Sequence, residues 1–182
     1  MQNEVIVSGF GGQGVLFAGQ LLSYAAMDSG LEVTWFPSYG PEMRGGTANC
    51  TVIISDEEIG APIVKNPKAA IVMNLPSLDK YEDLVKPGGV LVVNTSIVDK
   101  PVKRTDITVV RVPGNEIAEK LGNHRLANMV VLGGLLANLE IVPIDALKKA
   151  LQEHLPARHH KLLPANMQAI DEGASCEVIP AK

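Results

Sequence analysis

A chain of 182 residues with 46% hydrophobic and 20% charged side chains holds enough apolar material for a buried core and is not the composition of a disordered protein. A net charge of −4 and only 4% aromatic residues argue against a nucleic-acid partner, which needs a basic face or a stacking platform. With so few aromatics, the interior must be filled by Val, Ile, Leu and Ala, as in a parallel sheet flanked by helices.

The start, MQNEVIVSG, has no basic n-region and does not read as a secretory signal. The apolar stretch from Met129 to Leu139 is too short to span a bilayer and is broken by Gly133, Gly134 and Asn138. A cytoplasmic protein without a membrane partner is the expectation. Cys50 and Cys176 fit a reducing compartment and are too few to hold an iron–sulfur cluster, which takes four thiolates. Any electron carrier must then belong to a partner.

EVIVSG, ending at Gly9, is a short apolar run that predicts a buried strand. A helix follows over residues 13–27, with Ala18, Leu21, Leu22 and Ala25 on one face and Gly30 as its stop. LEVTWF (31–36) predicts a second strand, ended by Pro37, which completes a βαβ-type unit of about thirty residues. The next loop, PSYGPEMRGG (37–46), is too short for a parallel crossover, so the strand from Thr47 to Ser55 should run antiparallel to a neighbour. IGAPIV (59–64) reads as a short edge piece, where Pro62 is tolerated.

Alternation then resumes with AAIVMN (69–74) as strand and Ser77 to Val85 as helix, Ser77 being its expected N-cap. VLVVN (90–94) and ITVVRVP (107–113) are two further strands. Beyond Asn115 the pattern is helical: a short helix around Ile117 and Leu121, then residues 126–139, 144–155 and 164–172. The tail, 174–182, is either loose or an edge strand. The reading is one α/β, Rossmann-like domain over residues 1–182, with a mixed, mostly parallel sheet, helices on both faces and a helical C-terminal part.

GFGGQG places glycines at 9, 11 and 14, directly after a strand and opening a helix, the arrangement that lets backbone N–H groups approach an anion. A dinucleotide site also needs an acidic residue at the end of the second strand, to hold the ribose. That strand ends Trp35-Phe36-Pro37-Ser38, and the nearest acid, Glu32, lies at its start. The plain alternative is that the glycines serve only strand–helix packing.

The loop 37–46 belongs at the same carboxyl edge of the sheet. Pro37 and Pro41 stiffen it, while Glu42 and Arg44, as alternate residues, share a side in an extended stretch. They either pair to order the loop or leave Arg44 to reach an anion; an exposed turn is the bland reading. His154, His159 and His160 in HLPARHH read as a solvated helix end rather than a metal site. His124 reads as a capping or surface residue, and Ser8, Ser23 and Ser38 lack a G-x-S-x-G elbow.

GFGGQGV (9–15), SYGPEMRGG (38–46) and VIIS (52–55), followed by NLPSLDKY (74–81), VKPGG (85–89), ANMVVLGGL (127–135) and PANMQAIDEG (164–173), together resemble the γ subunit, or γ domain, of 2-oxoacid:ferredoxin oxidoreductases. The resemblance runs in order through nearly the whole chain. It implies oxidative decarboxylation of a 2-oxoacid to an acyl-CoA, with electrons passed to ferredoxin. It also implies α, β and ferredoxin-like δ partner subunits that carry thiamine diphosphate and iron–sulfur clusters, with CoA as co-substrate.

The chain agrees by lacking both a GDG thiamine signature and a cysteine cluster. By the same resemblance Gly11, Gly12, Gln13, Tyr39, Glu42, Arg44 and Asn128 are cofactor-binding or interface positions facing the assembled active site or the CoA path, with no catalytic residue and no metal ligand assigned. The oxoacid is left open, NLPSLDKY leaning toward the 2-oxoglutarate or generic type. Two other readings stay open: a stand-alone dinucleotide-binding oxidoreductase, and a non-catalytic assembly module.

Overall fold

The computed structural model describes residues 1–38 and 47–182. The seven strands are β1 (Gln2–Phe10), β2 (Glu32–Ser38), β3 (Thr47–Ser55), β4 (Ala69–Val72), β5 (Val90–Asn94), β6 (Thr108–Val112) and β7 (Glu177–Ile179), in the sheet order β2-β3-β1-β4-β5-β6-β7. Among the described residues six α-helices accompany them: α1 (Val15–Asp28), α2 (Leu75–Tyr81), α3 (Gly114–Lys120), α4 (Ala127–Leu136), α5 (Ile144–His154) and α6 (Leu163–Ala174). No helix among the described residues is long and apolar enough to cross a membrane.

β1, β4, β5 and β6 form a parallel run, as continuous apolar strands such as AAIV and VLVVN require when both faces are covered. β3 is antiparallel to β1 and to β2, as its short preceding loop demands, and β7 closes the other edge antiparallel to β6. The expected βαβ unit is therefore altered. β1 and β2 point the same way, but β3 lies between them, so the two strands never pair.

Three local expectations also change. β2 continues through Pro37, opposite Cys50, because an edge strand can spare one donor. Residues 59–64 form no strand. The cap of α2 is Asn74, whose Oδ1 accepts from the Ser77 N–H at 2.9 Å. Asn74 is extended and precedes Pro76 in the first turn, so the helix starts two residues earlier than expected. Ser77 turns inward instead, its Oγ 2.8 Å from Ser8 Oγ.

One sheet face carries two layers of helix. All ten residues of α4 are buried, which is why its sequence is apolar all round and shows no preferred face. α6 lies against α4 at two glycines: a Cβ on Gly133 would strike the Ile170 carbonyl, and one on Gly173 the Val130 carbonyl. α5 packs Leu147, Ala150 and Leu151 beneath its charged face, beside α1. The opposite face holds α2, with Leu78, Tyr81 and the following Val85 set on Ile6, Val72 and Leu91. Helices thus cover both faces, unequally.

β3 directs Cys50 into the first of these cores, where its Sγ faces the Val15 carbonyl at 3.7 Å and Gly19 of α1 leaves room for it and for Trp35. Burial pushes the Cys50 thiol up to about 11, with smaller opposing contributions from Trp35 and nearby backbone groups. The expected result of thiol labelling at neutral pH is that Cys50 stays unmodified until denaturant is added, while half-buried Cys176 reacts first. Peptide mass spectrometry reads this directly, and labelling of native Cys50 ahead of Cys176 contradicts it.

Candidate functional site

The connections from β1 and β4 leave the sheet on opposite faces, through α1 and α2, and head toward opposite edges. The carboxyl ends of these adjacent strands therefore border the crevice at which open α/β sheets bind ligands. GFGGQG fills that position. It turns through a bond from the Gln13 N–H to the Phe10 carbonyl at 3.2 Å. Gly12 and Gly14 take φ of 91° and 73°, a left-handed conformation that favours glycine. Gly9 is needed for a different reason: a Cβ there would lie 2.9 Å from Met73 Cβ and 3.0 Å from Val15 Cγ2.

Two polar side chains hold the loop in place. Gln13 folds back, accepting from the Phe10 N–H at 2.6 Å and donating to the Met73 carbonyl, at the end of β4, at 3.2 Å. Asn128, in the first turn of α4 and 5% exposed, donates to the Gly14 carbonyl at 3.2 Å. Both residues spend their amides on backbone atoms within the chain. Gly11 and Gly12 are exposed beside the first turn of α1, whose leading N–H groups have no partners within the helix. The arrangement suits an anion held by backbone N–H groups, since GFGGQG itself carries no charged side chain.

Tyr39, Glu42 and Arg44, in the second loop, lie outside the described residues. The residues that bound it do lie at this edge. Ser38 pairs with Asn49, Asn49 with Ser8, and Thr47 with Phe10. Large apolar side chains are exposed in the same quarter: Phe10 at the end of β1, Phe17 in the first turn of α1, and Leu75 at the start of α2. Exposed apolar groups beside a loop are a feature that interaction surfaces share.

Sequence reasoning missed the polar seam beneath this edge. Ser8 and Ser77 face each other, and the buried Asn74 caps α2 while its Nδ2 has no partner among the described residues. The Asn-Leu-Pro start of NLPSLDKY carried the signal for the cap. The histidines lie elsewhere. His154 stacks on Tyr24, with ring centroids 4.1 Å apart, and meets Asp28 Oδ2 at 2.9 Å, at the end of α1 opposite the glycine loop. Asp28, Glu153 and His154 bring three exposed donor atoms within 4.8 Å of one another, a surface cluster with nothing further to mark it as a metal site. His124 is exposed, and the turn it opens is capped by Asn123 instead.

Among the described residues, a mixed α/β sheet with a glycine loop at its switch point defines a Rossmann-like domain. The chain belongs to the pyruvate ferredoxin/flavodoxin oxidoreductase family, whose model matches residues 4–176. It is 37% identical over 173 residues to ketoisovalerate oxidoreductase subunit VorA of Methanothermobacter marburgensis, covering 94% of this chain and 36% of that protein. This chain thus spans about a third of the length of that relative. It is 38% identical over 160 residues to 2-oxoglutarate synthase subunit KorC of Methanocaldococcus jannaschii, covering 86% of this chain and 85% of that one. Among solved structures, the γ subunit of the keto/oxoacid ferredoxin oxidoreductase of Geobacter sulfurreducens superposes with a TM-score of 0.81 at 30% identity, over 94% of this chain and 96% of that one.

Proposed function

We propose that this chain is the γ subunit of a thiamine-diphosphate-dependent 2-oxoacid:ferredoxin oxidoreductase of the cytoplasm, and that its glycine-loop edge is one wall of a site completed by other subunits. The observation that carries the reading is near-full-length likeness to two separate subunits of such enzymes, joined to a loop edge rimmed by exposed Phe10, Phe17 and Leu75. In this reading α, β and ferredoxin-like δ subunits surround the chain. Thiamine diphosphate and the iron–sulfur clusters belong to those partners and supply carbanion stabilisation and electron transfer to ferredoxin.

The part left to this chain is positioning. The N–H groups around Gly11 and Gly12 and the first turn of α1 receive a phosphate of CoA, with Tyr39, Glu42 and Arg44 as further contributors by family resemblance. Gln13 and Asn128 act on the ligand indirectly, by fixing the loop to β4 and α4. The match to KorC, which covers most of both chains, supports 2-oxoglutarate as substrate, and the match to VorA keeps a branched-chain 2-oxoacid beside it.

Native pull-down of the chain is expected to recover larger thiamine- and iron-bearing subunits with 2-oxoacid- and CoA-dependent ferredoxin reduction. Full activity in the solitary chain overturns the proposal. Titration of the isolated chain with NAD(H) or FAD is expected to give no saturable binding, because β2 itself ends Trp35-Phe36-Pro37-Ser38, without a carboxylate to hold a ribose. A dissociation constant of about 1 μM or tighter restores the independent dinucleotide enzyme.

A further inference from the structure

The crossover from β5 to β6 is made by residues 95–107 without a helix. Parallel strands are usually joined by a helix, and irregular connections of this length inside a compact sheet are uncommon and tend to be functional. The strap is firmly anchored on its α2 side. Val98 and Ile107 are buried in the core, and the backbone N–H groups of Lys103 and Arg104 donate to Glu82 Oε1 at 2.5 and 3.3 Å. Arg104 spends its guanidinium on the Glu82 and Val85 carbonyls and on both oxygens of Asp106.

On its other side the strap stands away from β6 and β7 and leaves a cavity of about 380 Å³. Its floor is apolar, built from β6 and the strap through Val109 and Ile107, with Ile179 of β7 as the far wall. Lys100, Arg111 and Lys182 stand at its rim. Counting Arg104, four cations line the cavity beside Asp99; Lys100 is paired with Asp79 and Arg104 with Asp106, which leaves Arg111 and Lys182 to meet a ligand. Arg111 meets Glu177 only at 3.5 Å, with both side chains more than half exposed, a contact weak enough to yield to a better anion. β4 and β5 separate the cavity from β1 and its glycine loop.

From this enclosure of apolar floor and cationic rim, we infer that the cavity binds a short aliphatic carboxylate, its chain on Val109, Ile107 and Ile179 and its carboxylate at Arg111. The volume lies at the lower end of small-molecule sites, which selects a short ligand. A guanidinium can take both carboxylate oxygens at once, which favours this headgroup. The inference is independent of the γ-subunit reading, since it uses neither the glycine loop nor a partner subunit.

The test is a titration of the full ¹⁵N-labelled chain with hexanoate, followed by amide shifts, with hexylamine as the probe of equal chain and opposite charge. Saturable shifts confined to residues 93–111 and 177–182 are expected for hexanoate, with a dissociation constant below about 1 mM. Arg111→Ala should weaken binding about tenfold, and Ile179→Asp, at a half-exposed edge position, should abolish it. Circular dichroism confirms that both variants are folded. Failure of hexanoate to saturate, shifts centred elsewhere, equal binding of the amine, or unchanged affinity in both variants each overturns the assignment.

Discussion

Replacing Gly173 with alanine is expected to destabilise the protein by about 3 kcal/mol or more, at the upper end of what overpacking costs. The new Cβ would run into the Val130 carbonyl of α4, and the atom in its way is backbone. No side chain can rotate aside, so α6 must slide off α4. The better helix propensity of alanine returns at most about 1 kcal/mol. For a chain of this size the loss lowers the melting temperature by about 10 °C.

Gly133→Ala meets the Ile170 carbonyl in the same crossing and should behave alike. Gly134→Ala is the control. Its nearest obstacle is Val112 Cγ2 at 2.9 Å, a side-chain methyl that can give way, so a smaller loss is expected. Urea unfolding of the three variants measures the series, and a Gly173→Ala loss no larger than that of Gly134→Ala rules out the backbone-contact explanation.

Gly14→Ala is expected to strike stability and the site together. Its φ of 73° costs an alanine about 1–2 kcal/mol, and the added methyl would overlap the Asn128 amide. Asn128 must then withdraw and give up its bond to the Gly14 carbonyl, worth about 1 kcal/mol more. A total of about 2–3 kcal/mol follows. The double variant Gly14→Ala/Asn128→Ala removes the overlap and keeps the φ penalty, so it should be no less stable than Gly14→Ala. Strict additivity of the two single losses would show that the side chains do not interact. In the reconstituted complex, the proposed role predicts that the KM for CoA rises while the subunits still co-purify.

These two expectations show where sequence reading reached and where it stopped. The orientation of β3 was legible because residues 37–46 cannot span a parallel crossover, a limit set by chain length alone. Its place between β1 and β2 was not, since hydrophobic periodicity records which residues are buried and not which strand lies alongside. α4 was legible as an apolar helix, but the need for glycine at 133 depends on Ile170, far along the chain. Ser77 has the chemistry of a cap, yet the extended backbone of Asn74 and the proline behind it decided the matter.

The glycine loop, too, was legible as a shape. What holds it was not: the partner of Gln13 is the Met73 carbonyl, and a backbone oxygen leaves no mark in residue type. The cavity under residues 95–107 had no sequence signal at all. Its walls are ordinary strand valines and isoleucines, and its rim cations are scattered from Lys100 to Lys182.

The bond from Asn128 to Gly14 joins residues 114 positions apart. It therefore imposes an order on the life of the molecule. The glycine loop is synthesised 114 residues ahead of the side chain that completes it. Until α4 arrives and docks, the amino-terminal loop lacks one of its two ties. On the proposed reading, a partner that recognises the finished loop would meet it only after α4 has docked.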